Sequence, residues 1–505
     1  MKRRLQRFCS CVLLCALLTV GLPPPAAAAP TGFTDVPATH WAAESISRAV
    51  DLGLFQGQTA TRFGLGAPMT RGAFTVALCR LFGWEMVTPE AGSYEDNQDP
   101  DAWYYSAVET AYANGAITSQ VDTFRPQDPI TREELAVMLV RAMGYGTIAG
   151  LAQDLPMPFQ DVTTNVGYIV MAYELGLVNG TSATTFSPDR SATREQAAVM
   201  LIRLYDSYHG SMPEKIGIAY SAEDLTDLTG YEAVAVGGGR LIYGGQCRLI
   251  GLPEADSPLR DAIASAGAAP LLYITGTDTA LKGDITQTAD LLASAVESGG
   301  YQGLFLDLAE LGAPQKRDLT DLVRHLREVL GSGLLYVMVE SPVWQGSPYK
   351  GYDYAALAES ADKLVVRVAA YDHASGSFPI APMEPLEEVY YAMAELREAV
   401  DSSRLSLLLT TTGSSWTGGT PAGSIPASEI EQLLSDPQTQ AYYADRYACA
   451  YLTADDGLTA VWYLNGDAAM ERIRMAAFFQ VGQICLSDLS SVAAYDNYTL
   501  LPEAD

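Results

Sequence analysis

Histidine and cysteine are the scarce residues of this chain. Four histidines (His40, His209, His325, His373) are scattered over 505 positions, which argues against a zinc site. Of seven cysteines, Cys9, Cys11 and Cys15 fall within the first 29 residues, leaving Cys79, Cys247, Cys449 and Cys485. Those four follow no Cys-x-x-Cys spacing, so buried thiols are expected rather than a metal site or a disulfide framework. No cofactor is implied. The glycine cluster Gly237-Gly238-Gly239 lacks a Gly-x-Gly-x-x-Gly layout and reads as a turn, not a nucleotide loop. Basic charge is also short, with 31 Lys and Arg against 60 Asp and Glu and a net charge of −29. That balance excludes nucleic-acid binding through phosphate neutralisation. The apolar run from Cys11 to Leu22 is too short for a comfortable membrane span. With Lys2, Arg3, Arg4 and Arg7 before it and Ala26 to Ala29 after it, residues 1–29 read as a secretory signal. Its removal takes four basic residues and no acidic one, leaving 27 against 60 and a net of −33, with no stable membrane span. A surface this acidic suits a soluble protein exposed outside the cell.

What the chain has instead is a repeat. Thr131-Arg132-Glu133-Glu134 is preceded 61 residues earlier by Thr70-Arg71-Gly72-Ala73 and followed 62 residues later by Thr193-Arg194-Glu195-Gln196. Each copy follows a Phe…Pro segment (Phe63 to Pro68, Phe124-Arg125-Pro126, Phe186-Ser187-Pro188) and precedes an apolar helix. A first helix in each unit stops at a glycine, Gly53, Gly115 or Gly176, in phase with the Thr-Arg marker. The Thr caps the second helix and an acidic residue two or three positions on completes the cap. The Arg is not needed for that cap and opposes the helix dipole. It either binds something anionic or pairs with a buried carboxylate such as Asp35, Asp96 or Asp161.

From Gly32 to Tyr205 these features (Phe33-Thr34-Asp35-Val36, His40-Trp41-Ala42, the glycine stop, Phe-x-Pro and Thr-Arg-Glu) resemble S-layer homology domains, with repeats at 32–84, 93–145 and 158–206. The resemblance implies an α-helical pseudo-threefold trimer that binds the anionic secondary polymer of a cell wall, and places the chain at the cell surface. Arg71, Arg132 and Arg194 stand where the family's ligand-binding Arg stands. Trp41 and Trp103 are placed to stack on sugar, and Asp35 joins the glycan-binding set. Repeat one departs at Gly72-Ala73, and repeat three at Val166-Gly167-Tyr168, so not every groove need be competent.

Residues 213–505 suit one (β/α)8 barrel. Eight short apolar runs, as expected of parallel strands buried on both faces, lie at 215–220, 233–237, 270–275, 303–308, 334–340, 364–371, 405–411 and 483–489. Polar residues at strand ends are the candidates for chemistry. Tyr301-Gln302-Gly303-Leu304-Phe305-Leu306-Asp307-Leu308-Ala309-Glu310 is similar to the strand-four signature of glycoside hydrolase family 18, in its peptidoglycan and spore-cortex branch. Val366 to Asp372 resembles that family's Met-x-Tyr-Asp strand, and Ala460-Val461-Trp462-Tyr463 its segment before the last helix. The resemblance implies Asp307, Glu310, Tyr371 and Asp372 as catalytic positions and Trp462 as a glycan contact. It is weakest at the chemistry, because Ala309 stands where the general acid belongs and Glu310 is one residue late. Successive strand side chains face opposite ways, so Glu310 points out if Asp307 points in. The expected reading is a non-catalytic glycan-binding barrel on a wall anchor, with secondary cell-wall polymer or peptidoglycan glycan as partner. The alternative is an active N-acetylglucosaminidase-type hydrolase using Glu310.

Overall fold

The computed structural model describes residues 32–118, 121–208, 213–222, 225, 228–254, 257–342, 351–368 and 382–491. The expected secretory signal, and with it the candidates Tyr371 and Asp372, lie outside the described residues. Among those described, no helix is long and apolar enough to cross a membrane.

The repeats fold into helix pairs. Repeat one holds α1 (Ala43–Asp51) and α2 (Arg71–Phe82), repeat two α3 (Tyr105–Ala113) and α4 (Arg132–Ala142). A short α5 (Gly146–Leu151) precedes repeat three, built from α6 (Val166–Glu174) and α7 (Arg194–Tyr208). The stop glycines have φ near +70°, as left-handed caps require. The principal helix pairings run across repeats: α2 with α3, α4 with α6, α7 with α1. The axis is closed by three backbone hydrogen bonds running in a ring. Met69 N–H donates to Ala192 O (2.9 Å), Ala192 to Ile130 O (2.9 Å) and Ile130 to Met69 O (2.8 Å). Met69, Ile130 and Ala192 are all buried, so the ring sits in an apolar plug that excludes competing water.

The second domain is a closed parallel barrel of eight strands, as the apolar runs predict. They are β1 (Glu214–Ala219), β2 (Tyr231–Tyr243), β4 (Ala269–Thr277), β5 (Gly303–Ala309), β6 (Leu334–Glu340), β7 (Lys363–Arg367), β8 (Leu405–Leu409) and β14 (Gln483–Leu486), with β1 pairing both β14 and β2. Ile216, Ala235, Leu271, Phe305, Met338, Val365, Leu408 and Cys485 fill the interior. Outside lie α8 (Pro258–Ser265), α9 (Ile285–Gly299), α10 (Lys316–Leu330), α11 (Tyr354–Ser360), α12 (Leu386–Leu396) and α14 (Gly466–Phe478). Three features correct the sequence reading. Gly237 to Gly239 form no turn: they lie inside β2, where a register shift and Gly238 at φ +117° make a bulge. Beyond it β2 continues, pairing antiparallel with β3 (Cys247–Ile250). Cys247 is only half buried, unlike the other three thiols.

Between β8 and α14 the chain builds a separate antiparallel sheet. Its strands are β9 (Gly413–Thr417), β10 (Thr420–Ile425), β11 (Gln440–Ala444), β12 (Cys449–Thr453) and β13 (Thr459–Tyr463), in the order β10-β9-β13-β12-β11, with α13 (Ala427–Ser435) on one face. The two domains meet where α5 rests on α12, and Arg397 pairs with Glu174 at 3.3 Å.

Candidate functional site

The three Thr-Arg markers form the joints between repeats. Arg71 Nε donates to Phe124 O (2.7 Å), Arg132 Nε to Phe186 O (2.9 Å) and Arg194 Nε to Phe63 O (3.0 Å). Each guanidinium lies over the ring of the same Phe, 4.6 to 4.9 Å from its centroid. So each Arg reaches the Phe…Pro loop of the next repeat, and the cycle closes from three back to one. The residue after each Phe has positive φ (Gly64 +90°, Arg125 +59°, Ser187 +61°). That turn aims successive amides at one carboxylate. Asp35 accepts from Phe63, Gly64 and Leu65 N–H, Asp96 from Phe124 and Arg125, Asp161 from Phe186 and Ser187. These aspartates therefore hold loops; among the described residues none is in salt-bridge contact with Arg71, Arg132 or Arg194, though Asp35 and Asp161 act on Arg194 and Arg132 at longer range.

Burial lifts the Asp35 carboxyl, but its three amide donors outweigh that and hold it below the usual range. The Phe186 amide does the same for Asp161. Both groups titrate lower folded than unfolded, so their stabilisation is present above the ordinary carboxylate pKa of about 4 and is lost as pH falls through the folded values. Circular dichroism on acidification is expected to show the helical block weakening below about pH 4, with Asp161→Asn flattening that dependence. An unchanged profile in Asp161→Asn would rule that carboxylate out as the cause.

The joints differ in charge. Burial depresses all three guanidinium pKa values. At Arg71 a carboxylate answers, because Glu134, locked in a capping box with Thr131, lies 2.8 Å from Nη1 and also binds Arg125. The equivalents of Glu134 are Gln196 and Ala73, which carry no charge. Arg132 and Arg194 accordingly spend their hydrogen bonds on carbonyls, Asn179 O (2.6 Å) and Gln56 O (2.7 Å) besides the Phe carbonyls. Arg132 is only 3% exposed, whereas Arg194 is half buried. The aromatic corners differ too. A Cβ on Gly72 would stand 3.2 Å from Tyr104 Cβ, so the Trp103 corner borders the first joint. Helix α1 packs on α7, so the equivalent Trp41 corner borders the third. Trp41 is 63% exposed and Trp103 59%. At the second joint the corner is Thr164, whose hydroxyl donates to Glu133 at 2.9 Å.

In the barrel, Asp307 on β5 does point inward. It is 6% exposed and its Oδ2 accepts from Tyr273 Oη on β4 (2.7 Å) and Arg367 Nη2 on β7 (2.5 Å). Arg367 Nη1 also donates to Glu340 Oε1 on β6 (2.8 Å). Burial lifts the Glu340 carboxyl above its usual range, with Arg367 opposing. Burial lowers the Arg367 pKa, but the two carboxylates outweigh it and leave it raised. Asp307 Oδ1 is buried with no hydrogen-bond partner among the described residues. Pleat alternation puts Ala309 on the inward side after Asp307. Glu310 follows the last strand residue, exposed and at φ +62°. Arg367, the residue that ties this cluster together, went unread because a charged residue in an apolar run carries no spacing signal. Trp462 stands on β13 of the inserted sheet, not on a barrel strand, and is 8% exposed.

Residues 32–75, 98–136 and 158–198 match the model of the S-layer homology domain family, so the chain carries three such domains. Domains of this family bind cell-wall polymers, and they place the chain at the cell surface. Similar curated proteins include an endoglucanase of Bacillus sp. (strain KSM-635), 31% identical over 34% of this chain and 18% of that protein. The S-layer protein EA1 of Bacillus anthracis is 29% identical over 44% of this chain and 28% of that one. The match thus spans well under half of each relative. Among solved structures, a chitinase from Chromobacterium violaceum ATCC 12472 aligns with 57% of this chain and 96% of its own, at 16% identity and a TM-score of 0.49. The spore cortex-lytic enzyme SleL of Bacillus megaterium QM B1551 aligns with 64% and 78%, at 15% identity and 0.46. The barrel assignment rests on this chain's own strand pairing.

Proposed function

We propose that this is a secreted, wall-anchored surface protein whose repeats bind an anionic secondary cell-wall polymer and whose barrel binds glycan without cleaving it. The observation that carries the second half is the Asp307–Arg367 ion pair beside an inward Ala309. General acid catalysis needs a proton donor within reach of the leaving oxygen. Ala309 has none, and the Asp307 Oδ2 that faces the cluster is already taken by Tyr273 Oη and Arg367 Nη2. Asp307 Oδ1, without a partner among the described residues, and the Tyr273 and Arg367 donors suit the hydroxyl and amide groups of a sugar. Assay of the full chain on a fluorogenic chitobioside and on purified peptidoglycan is expected to give no turnover, and Glu310→Gln to change nothing. Turnover abolished by both Glu310→Gln and Asp307→Asn would instead make the barrel a hydrolase with a displaced acid.

For the repeats, the third joint is the favoured groove. It alone pairs an accessible Arg without a carboxylate in salt-bridge range, among the described residues, with an exposed Trp. At the first joint Glu134 takes the place that an anionic ligand group would fill.

A further inference from the structure

The inserted sheet carries an aromatic ladder made of residues that belong to neither the barrel cluster nor the repeat joints. Trp462, Tyr451 and Tyr442 sit directly opposite one another on β13, β12 and β11. The Tyr451 ring lies 4.7 Å from Trp462 and stacks on Tyr442 at 5.0 Å and 18°. The ladder runs from buried Trp462 out to Tyr442, which is 43% exposed on the edge strand β11. Helix α13 covers the opposite face, through Ile430 and Leu433 against Leu452 and Val461, so it leaves the ladder clear.

Two residues further along the same face, Gln440 sits opposite Thr453. Both line an open groove of about 520 Å³, together with Gln438, Asp455 and Gly457. Tyr442 Oη hydrogen-bonds Gln440 Oε1, tying the aromatic step to the polar groove. Such a neighbourhood is costly for an edge strand, which proteins normally protect with charge or cover. Here it presents a flat apolar ring face next to amide, hydroxyl and carboxylate groups. An aromatic face takes the C–H side of a pyranose, and the amide and hydroxyl groups match its ring of alcohols. Asp455, the one ionisable lining group, disfavours a polyanion.

We propose that this groove and the Tyr442 step form a second glycan site, taking a neutral pyranose oligosaccharide, built from residues other than those of the barrel cluster and the repeat joints. The site is independent of the wall-anchoring reading, and would stand if that reading failed.

Calorimetric titration of the full chain with chitotetraose and with cellotetraose tests it. At least one probe is expected to bind. Tyr442→Ala is expected to weaken that binding about tenfold and Tyr442→Phe to preserve it, since stacking on an aromatic is worth roughly a kcal/mol. Gln440→Ala is expected to weaken it less. Asp307→Asn removes the barrel-mouth contribution, and Tyr442→Ala made in that background is expected to show the same loss. Absence of binding to both probes, or Tyr442→Ala matching the unaltered chain, would overturn the proposal. So would binding lost in Asp307→Asn and kept in Tyr442→Ala, which would put the sugar in the barrel mouth.

Discussion

Replacing Arg472 by methionine is expected to cost the barrel about 3–5 kcal/mol, a large share of the roughly 5–15 kcal/mol that holds a typical domain together. Arg472 on α14 is wholly buried. Its Nη1 donates to Ala448 O (2.6 Å) and Ala468 O (2.8 Å), and its Nη2 to Met383 O (3.3 Å), Tyr447 O (3.4 Å) and Glu384 O. One guanidinium therefore stitches the inserted sheet, the segment leading into α12 and α14 itself. Glu384, 3.8 Å away and equally enclosed, has its carboxyl lifted by burial and lowered by Arg472. Methionine fills much of the volume but leaves five carbonyls with lost donors and an acid with no cation. Lysine keeps the charge and loses the fork, so Arg472→Lys is expected to fall between the two. Urea unfolding followed by tryptophan fluorescence reads the difference. A methionine variant within about 1 kcal/mol of the parent would refute the stitch.

Loss of Arg194 is expected to lower retention on purified cell walls by about ten- to a hundredfold, the worth of one charge-assisted hydrogen-bonding group. Arg71→Ala is expected to change retention little, because Glu134 already neutralises that guanidinium. Arg132→Ala acts differently. Its side chain is sealed beneath Phe186, so removing it opens the joint and lowers the melting temperature of the repeat block. The informative partner is Glu134→Gln. It keeps the capping geometry, frees Arg71 and Arg125, and is expected to raise retention. Co-sedimentation of the four variants, with melting curves beside it, separates ligand contact from loss of fold. Equal loss in Arg71→Ala and Arg194→Ala would show that the joints are equivalent and the charge argument wrong.

Much of this architecture was legible in the residues. The three helix pairs declared themselves because stop glycines and Thr-Arg markers keep one phase. The eight barrel strands did so because strands covered on both faces must be apolar almost throughout, as Leu405–Leu409 is but for the buried Ser406. The inserted sheet was hidden for the converse reason. Its edge strands β10 and β11 are exposed along nearly their whole length, so Thr420–Ile425 and Gln440–Ala444 show no alternation to read. The inward set of Asp307 follows from the pleat, but its Arg367 partner is 60 residues away in sequence and no local spacing announces it. Arg472 gives no local signal either, since arginine on a helix is normally a solvent residue. The repeat aspartates were read as ligands or counter-ions because a side chain's preference for backbone amides shows only when the turn closing on it is seen.

The ring of hydrogen bonds through Met69, Ala192 and Ile130 has a consequence for how such a chain can change over generations. A linear array gains or loses a unit at either end and keeps the rest. Here each unit's marker is seated in the following unit's loop, and the last returns to the first. Deletion or duplication of a single 61- or 62-residue unit leaves one Arg without a loop to enter and one buried axial amide without an acceptor. Copy number is in that sense quantised. Tuning must come through substitutions within units, which is where Glu134, Gln196 and Ala73 already differ.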